Sequence, residues 1–362
     1  MNCYFNIIMV TVGLLVASLP AQAQALNPDG TGNITFRPGL RIQPHYTFDN
    51  ANSREDFFIA RTRLKGAGEV FDVARYFAEV KLDNVGRLGK EVNVQVENAW
   101  LDFAVNPDLG IRAGLYDAPF SRNALTSDSK LLFMDRSQIK DALTALGLAD
   151  NTIGVLLYGR PWGGRFEYSA GIFDDLQFKQ STTPTAKRAE GAMSTGRLVF
   201  NLLDPAKPGG YADYQSSYIG RGQRLSIGAN GALLRKAHEG VDDFDLTAMG
   251  ADLFFNSGAF TFEAEYDRFT ENNKGQNPSK TGEGWYIQGG YLFHRSLELA
   301  LRHQELDPDK SVSGNRSRWI SVGLNIYLHE HNLKIQTDYT FKREQEIQIK
   351  NDVFQVQLQV DF

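Results

Sequence analysis

Residues 352–362 alternate with a period of two. Phe354, Val356, Leu358, Val360 and Phe362 fall on one side, and Gln355, Gln357, Gln359 and Asp361 on the other. Successive side chains of a strand point to opposite faces, so this is a strand with one apolar face and one wet face. Left open in water, it would be an edge that recruits other strands. Two architectures cover it. In a soluble sandwich, an opposing sheet takes the apolar face. In a membrane barrel, lipid takes that face and the first strand takes the edge.

The N-terminus separates the two. Residues 7–19 form an apolar run, followed by Pro20 and the small-residue stretch Ala21-Gln22-Ala23-Gln24-Ala25. This is the hydrophobic region of a secretory leader with A-x-A cleavage sites, although Lys and Arg are missing ahead of it. The run is too short for a spanning helix. The expected organisation is therefore a signal peptide at 1–25 and one mature domain at 26–362. The single cysteine, Cys3, leaves with the leader, so an exported chain is expected to fold without disulfides. No other stretch is long and apolar enough to be a spanning helix. A composition of 42% hydrophobic and 22% charged residues would by itself pass for a soluble globular protein. A net charge of −5 gives no support to nucleic-acid binding.

The same alternation recurs along the chain. In residues 34–49 the even positions carry Ile34, Phe36, Leu40, Ile42, Tyr46 and Phe48, and the odd ones Arg37, Arg41, Gln43, His45 and Asp49. This is longer than the usual globular strand of about five or six residues and suits a membrane barrel. Pro38 and Pro44 cannot donate to a ladder, so bulges are expected there. Residues 57–70 put Arg61, Arg63 and Lys65 on one face; residues 74–83 put Arg75, Glu79, Lys81 and Asp83 there. Residues 84–98 read as a longer loop, and the parity of the pattern switches near 97–99, which implies a bulge or a junction. Strands follow at 99–105, 109–115, 152–160, 165–173, 191–203, 224–236, 242–256, 259–270, 284–295, 296–306, 316–329, 332–343 and 351–362. The total is about 16, an even number as bacterial barrels require.

Connections alternate between short turns such as Asn256-Ser257-Gly258 and longer polar loops at 174–190, 237–243, 271–283, 307–315 and 344–350, again a barrel pattern. Two stretches break the rhythm. Residues 116–151 are far longer than an ordinary loop, with helical potential at 138–146. Residues 204–223 fall where a short turn is expected, and spacing gives no account of them.

With those residues in view, the chain resembles the phosphate-selective porin O and P family from about residue 34 to Phe362. The most specific stretch is R-A-G-L-Y-D-A-P-F-S-R from Arg112 to Arg122, continuing through Leu125-Thr126-Ser127, the L-L-F-M-D-R-S run at 131–137 and I-G-V-L-L-Y-G at 153–159. Family members usually carry R-D-I-G where this chain has Asn151-Thr152-Ile153-Gly154. The resemblance implies an all-β, transmembrane antiparallel barrel of 16 strands in the outer membrane of a Gram-negative bacterium. It further implies a homotrimer, insertion by the barrel-assembly machinery, and a third extracellular loop, here 116–151, folded into the pore. It does not fix phosphate as the solute.

The expected function is a water-filled channel for passive diffusion of small solutes that prefers small anions such as phosphate. The residues expected to attract anions on the lumen face are Arg37, Arg41, Arg61, Arg63, Lys65, Arg75, Lys81 and Arg112. The constriction loop adds Arg122, Lys130, Arg136 and Lys140 but also Asp117, Asp128, Asp135, Asp141 and Asp150. Glu263, Glu265 and Asp267 form an acidic wall further along. Walls of charge are how pores select ions. Other readings are a non-selective or cation-preferring general porin, a barrel enzyme, and a receptor or adhesin without a conducting path. The sequence shows no nucleophile motif. His329 and His331 lack ligand-type neighbours, so no metal or cofactor is expected.

Overall fold

The computed structural model describes residues 34–71, 73–106, 108–174, 187–189, 191–206, 211, 213–239, 242–274, 278–345 and 351–362. The expected leader at 1–25 lies outside them. Sixteen antiparallel strands close into one barrel. They are β1 (Arg37–Asp49), β2 (Arg54–Val70), β3 (Ala74–Val85), β4 (Asn93–Asn106), β5 (Leu109–Asp117), β6 (Asn151–Gly159), β7 (Phe166–Asp174) and β8 (Met193–Asn201). The second half comprises β9 (Gln223–Glu239), β10 (Asp242–Ser257), β11 (Phe260–Asn273), β12 (Lys280–His294), β13 (Leu297–Asp307), β14 (Ser317–His329), β15 (Leu333–Glu344) and β16 (Val353–Asp361). The short segment Lys187–Ala189 runs along β9 beyond β8 and belongs to the same strand position.

Each strand pairs with the next, and β1 pairs with β16 to close the ring, with Arg41 opposite Asp361 and Tyr46 opposite Val356. Beyond the named strand, Phe362 exchanges two backbone bonds with Leu40, at 2.7 and 3.0 Å. No sheet edge is left open at this seam, which removes the aggregation hazard of the last strand.

Polarity is inverted relative to a soluble protein. On β16, Gln357 and Gln359 are 1% and 0% exposed while Leu358 and Val360 are 42% and 36% exposed. On β13, Leu299 and Leu301 face out between the buried Glu298, Ala300 and Arg302. An apolar exterior around a polar interior is stable where lipid is the outer solvent.

The irregularities expected from sequence have specific forms. The register between β1 and β2 shifts at Gln43/Pro44, whereas Pro38 pairs opposite Gly66 without a shift. Asn98 pairs with Glu79 and Val96 with Val80, so Glu97 is the extra residue that flips the parity of β4. Beside this bulge Gly114 has φ 132°, and an added Cβ would meet the carbonyl oxygen of Ala99 at 2.2 Å, so only glycine fits. The 84–98 loop is shorter than expected, since β3 runs to Val85 and β4 begins at Asn93. Likewise β9 and β10 run through most of 237–243. Most of the 174–190 and 344–350 loops lies outside the described residues.

Deleting Phe362 removes both bonds to Leu40 at the closing seam, at a cost of about 1 kcal/mol each. The variant is expected to lose its folded, heat-modifiable gel band in detergent at a lower temperature than the full chain. An unchanged transition would mean that the seam is closed without this residue.

Candidate functional site: a divided lumen

The long connection between β5 and β6, residues 118–150 and here called L3, carries two short helices, α1 (Arg122–Leu125) and α2 (Gln138–Ala145). Both start at serine caps: Ser121 Oγ accepts from Ala124 N at 3.1 Å, and Ser137 Oγ accepts from Lys140 N at 3.3 Å. Ser137 N also donates to Asn123 Oδ1 at 3.1 Å, tying the two helices together. Ser121 holds φ 63°, a strained value for a residue with a side chain.

L3 has an apolar and a polar side. Phe120, Ile139, Leu143 and Leu148 are fully buried in one cluster with Leu156, Phe173, Leu234, Leu246, Phe269 and Tyr286 of the strands. Leu132 and Phe133 form a second cluster with Ala300. Each of these large side chains contributes about 1.5–3 kcal/mol by leaving water. The main hydrophobic core therefore lies inside the barrel, between L3 and the wall built by β6 to β13. Around it the L3 backbone meets polar groups of that side. Asn123 N donates to Glu265 at 2.9 Å, Gln138 N to Gln304 at 2.9 Å, and Met134 N to Asp338 at 3.2 Å. Asn325 donates to Leu132 O at 3.0 Å and Arg302 to Asp135 O at 2.8 Å.

This half of the lumen is rich in acid. Asp252, Glu263, Glu265, Asp267, Glu298 and Asp338 face Arg197, Arg302 and Lys334 on the same wall, and all nine are buried. Arg122 of α1 lies 3.7 Å from Glu263 and over the ring of Phe254. The expected acidic wall of Glu263, Glu265 and Asp267 does point inward, but it is covered and lines no part of the main cavity. That is a correction to the sequence reading: parity gives direction, and packing decides contact with water.

The other half holds a cavity of about 890 Å³ between L3 and the strands on either side of the seam. The strands supply Arg41, Arg61, Arg63, Lys65, Lys81 and Lys342 against Glu79, Asp83, Glu97 and Asp361. Segment 116–151 supplies Lys130, Arg136 and Lys140 against Asp117, Asp128, Asp135, Asp141 and Asp150. Charges balance in sum but not across the gap, since the strand wall is net positive and the loop net negative. A second cavity of about 500 Å³ shares Arg61, Asp83, Asp135 and Lys342 with the first, and adds Arg54, Arg87 and Lys90 against Asp49 and Asp56 towards the β1–β2 and β3–β4 loops.

Most of the basic groups on the strand wall are held in ion pairs. Arg41 Nε lies 2.9 Å from Asp361, which Lys65 also meets. Arg63 is bonded to Asp83 and lies 3.8 Å from Glu79, 4.0 Å from Glu97 and 3.9 Å from Asp128. Lys81 reaches Glu97 at 2.5 Å. Asp128 is the crossing point of wall and loop, 2.8 Å from Arg136 and 3.4 Å from Arg61. Burial alone would raise its pKa, but Arg136, Arg61, Arg63 and Arg41 outweigh it and hold the carboxyl well below the ordinary range.

Four expected residues sit elsewhere. Arg37 is exposed at the start of β1 and lines neither cavity. Arg75 and Arg112 converge on the buried Asp102, at 2.8 and 2.7 Å, and Arg112 stacks on Trp100 at 3.7 Å. Arg122 is buried against the acid-rich wall. The sequence could not separate Arg37, Arg75 and Arg112 from Arg61 or Lys81, because all share an inward parity, and Arg122 lies on L3, where no alternation exists to place it. Missed were Lys342, which rests 4.4 Å over Trp319, and Asp361 of the last strand. Among the described residues no group of three or more His, Cys, Asp or Glu is placed to hold a metal ion, and His331 is buried. Burial, with Lys334 nearby, pushes its imidazole down to about 3, and its Nε2 donates to Ser217 O at 2.8 Å.

The family model of phosphate-selective porin O and P matches residues 33–362. A relative from Aquifex aeolicus (strain VF5), described as an uncharacterized protein, is 25% identical over 369 residues, covering 89% of this chain and 86% of that one. Among solved structures, the anion-selective porin from Comamonas acidovorans superposes with a TM-score of 0.62 at 13% identity, over 91% of this chain and 99% of that one. The trimer form of OmpT from Vibrio cholerae gives 0.60 at 9% identity, over 91% and 99%. Salmonella typhi OmpF in complex with daunomycin gives 0.61 at 10% identity, over 90% and 97%. These likenesses show the fold, and the match over nearly the whole chain places this protein in the phosphate-selective porin O and P family of β-barrel porins.

Proposed function

We propose that the chain is an outer-membrane channel for passive diffusion of small hydrophilic solutes, with a weak preference for anions, working as a homotrimer. The observation that carries this is the 890 Å³ cavity between a net-positive strand wall and a net-negative loop. Opposed charge across a narrow gap orients dipolar solutes and lets both ion signs pass along opposite sides. The bias to anions comes from the entrance, where Arg54, Arg87 and Lys90 outnumber Asp49 and Asp56, and from guanidinium groups that stay charged at any working pH. Phosphate fits as one passing anion among others. A dedicated phosphate trap would need a cluster of basic groups open to the ion, whereas here Arg41, Arg63, Lys65 and Lys81 each already hold a carboxylate. The porin family and the barrel fold favour a channel over a barrel enzyme.

Planar-bilayer recording tests the reading. Discrete conductance steps are expected, with a small reversal potential on the chloride side of a KCl gradient. The potential should shrink in concentrated salt, because the Debye length falls from about 10 Å at 0.1 M to about 3 Å at 1 M. A silent bilayer, or a strong potassium preference, would refute it.

The wall can be tested residue by residue. Replacing Arg61 and Lys81 with Gln should move the reversal potential toward potassium, whereas Arg37→Gln should leave it unchanged because Arg37 lines neither cavity. Equal shifts from both variants would remove the wall from the mechanism.

Asp128→Asn should shift the potential toward chloride by freeing Arg61 and Arg136. Its depressed pKa keeps the native carboxylate charged well below the ordinary value of about 3.9, so the difference between native and variant channels should persist at pH 5. Its stabilising contribution is present above that ordinary value and is lost as pH falls through the depressed one. A difference that vanishes by pH 5 would show Asp128 to be protonated there.

A further inference from the structure

The connection between β8 and β9 is far longer than the hairpin needs. Leu202 N donates to Leu225 O at 2.7 Å and Asp204 N to Gln223 O at 2.8 Å, so the two strands are already paired to a level where a two-residue turn would join them. Instead, residues 213–219 enter the barrel from the short-turn end. Their return bend passes through Ile219 at φ 52° and Gly220 at φ 73°. A β-branched residue in that region is strained and persists only where its surroundings fix it.

One side of the segment docks on L3. Tyr214 forms a parallel bridge with Thr126, Ser216 N donates to Lys130 O at 3.1 Å, and Arg122 donates to Gln215 O at 3.3 Å. The other side docks on the acid-rich wall. Ser217 Oγ donates to Glu298 at 2.9 Å and Gln288 donates to Ser216 Oγ at 3.4 Å. The Tyr218 ring meets Phe254 edge-on, and both serines are fully buried.

We propose that residues 213–219 are a second constriction element: a strut that holds L3 against the acid-rich wall and closes that half of the lumen from the short-turn end. It thereby confines ion flow to the basic side and sets the channel's ion preference. The proposal rests on the channel reading above. Removing the strut uncovers Gln288 and Glu298 directly and takes away the support of α1, beneath which Glu263 and Glu265 lie.

The test replaces residues 205–222 by an Asn-Gly turn in the full chain and keeps variants that retain the folded, heat-modifiable band. Conductance should rise, because water and ions enter the space the segment now fills beside Gln288 and Glu298. The reversal potential in a KCl gradient should move toward potassium. Independently, Gln288→Cys should be labelled slowly by a charged maleimide when the segment is intact and rapidly when it is shortened. If the shortened chain does not fold, the pair Tyr214→Ala and Ser217→Ala carries the same readouts. Unchanged conductance, selectivity and labelling in a folded variant would overturn the proposal. A native chain that never conducts would refute the channel reading alone, and the labelling would still decide the strut.

Discussion

Closure of the backbone ladder is the constraint on which everything else depends. With β16 bonded to β1 and an apolar exterior, this chain has no water-facing edge and no need of a core between sheets. It must then manage an interior that is polar by construction. Every strand sends half of its side chains inward, and in a lipid-covered barrel those are the polar half. A barrel of this strand number is too wide for wall side chains alone to fill, so something else must occupy the space or water will.

Here the interior is partitioned. L3 brings its own apolar face to the inward side of β6 to β13, where small and apolar residues such as Ala232, Ala248, Leu234 and Leu246 replace charges. Around that core, its backbone donors and acceptors meet polar wall groups such as Glu265, Gln304 and Asn325. Burying carboxylates this way is costly unless each is bonded, which explains the density of amide and hydroxyl partners around Glu265 and Glu298. On the opposite side, L3 presents Asp128, Arg136 and Lys140 to the strand wall. The gap left there stays polar on both faces. The ion pairs across it fix the loop in place while leaving a net field from wall to loop.

Much of this was legible in the residues. Period-two alternation located all sixteen strand positions, and a parity change at residues 97–99 announced the bulge at Glu97. The helical stretch at 138–146 corresponds to α2. What stayed hidden was the content of the lumen. Inward parity is shared by Arg61, which lines the main cavity, by Arg112, which is locked onto Asp102 and Trp100, and by Glu265, which is sealed under α1. For Glu265 the difference lies in long-range packing of L3, which joins residues more than a hundred positions apart, and for Arg112 in the side chains of the neighbouring strand. The strut was hidden for the same reason. Its serines and tyrosines carry no periodic pattern and acquire meaning only from Lys130, Gln288 and Glu298, which lie on L3 and two distant strands.

The division of the lumen can be measured directly. Cys3 is the sequence's single cysteine, so a thiol introduced into the barrel reports on its own surroundings. Lys81→Cys and Glu265→Cys, each in an otherwise intact barrel in lipid vesicles, can be compared for their rates of reaction with a small water-soluble thiol reagent. The account predicts rapid labelling at position 81, on the water-filled side, and strong protection at position 265, beneath L3. Comparable rates at the two positions would contradict a lumen divided into an open basic half and a closed acidic one.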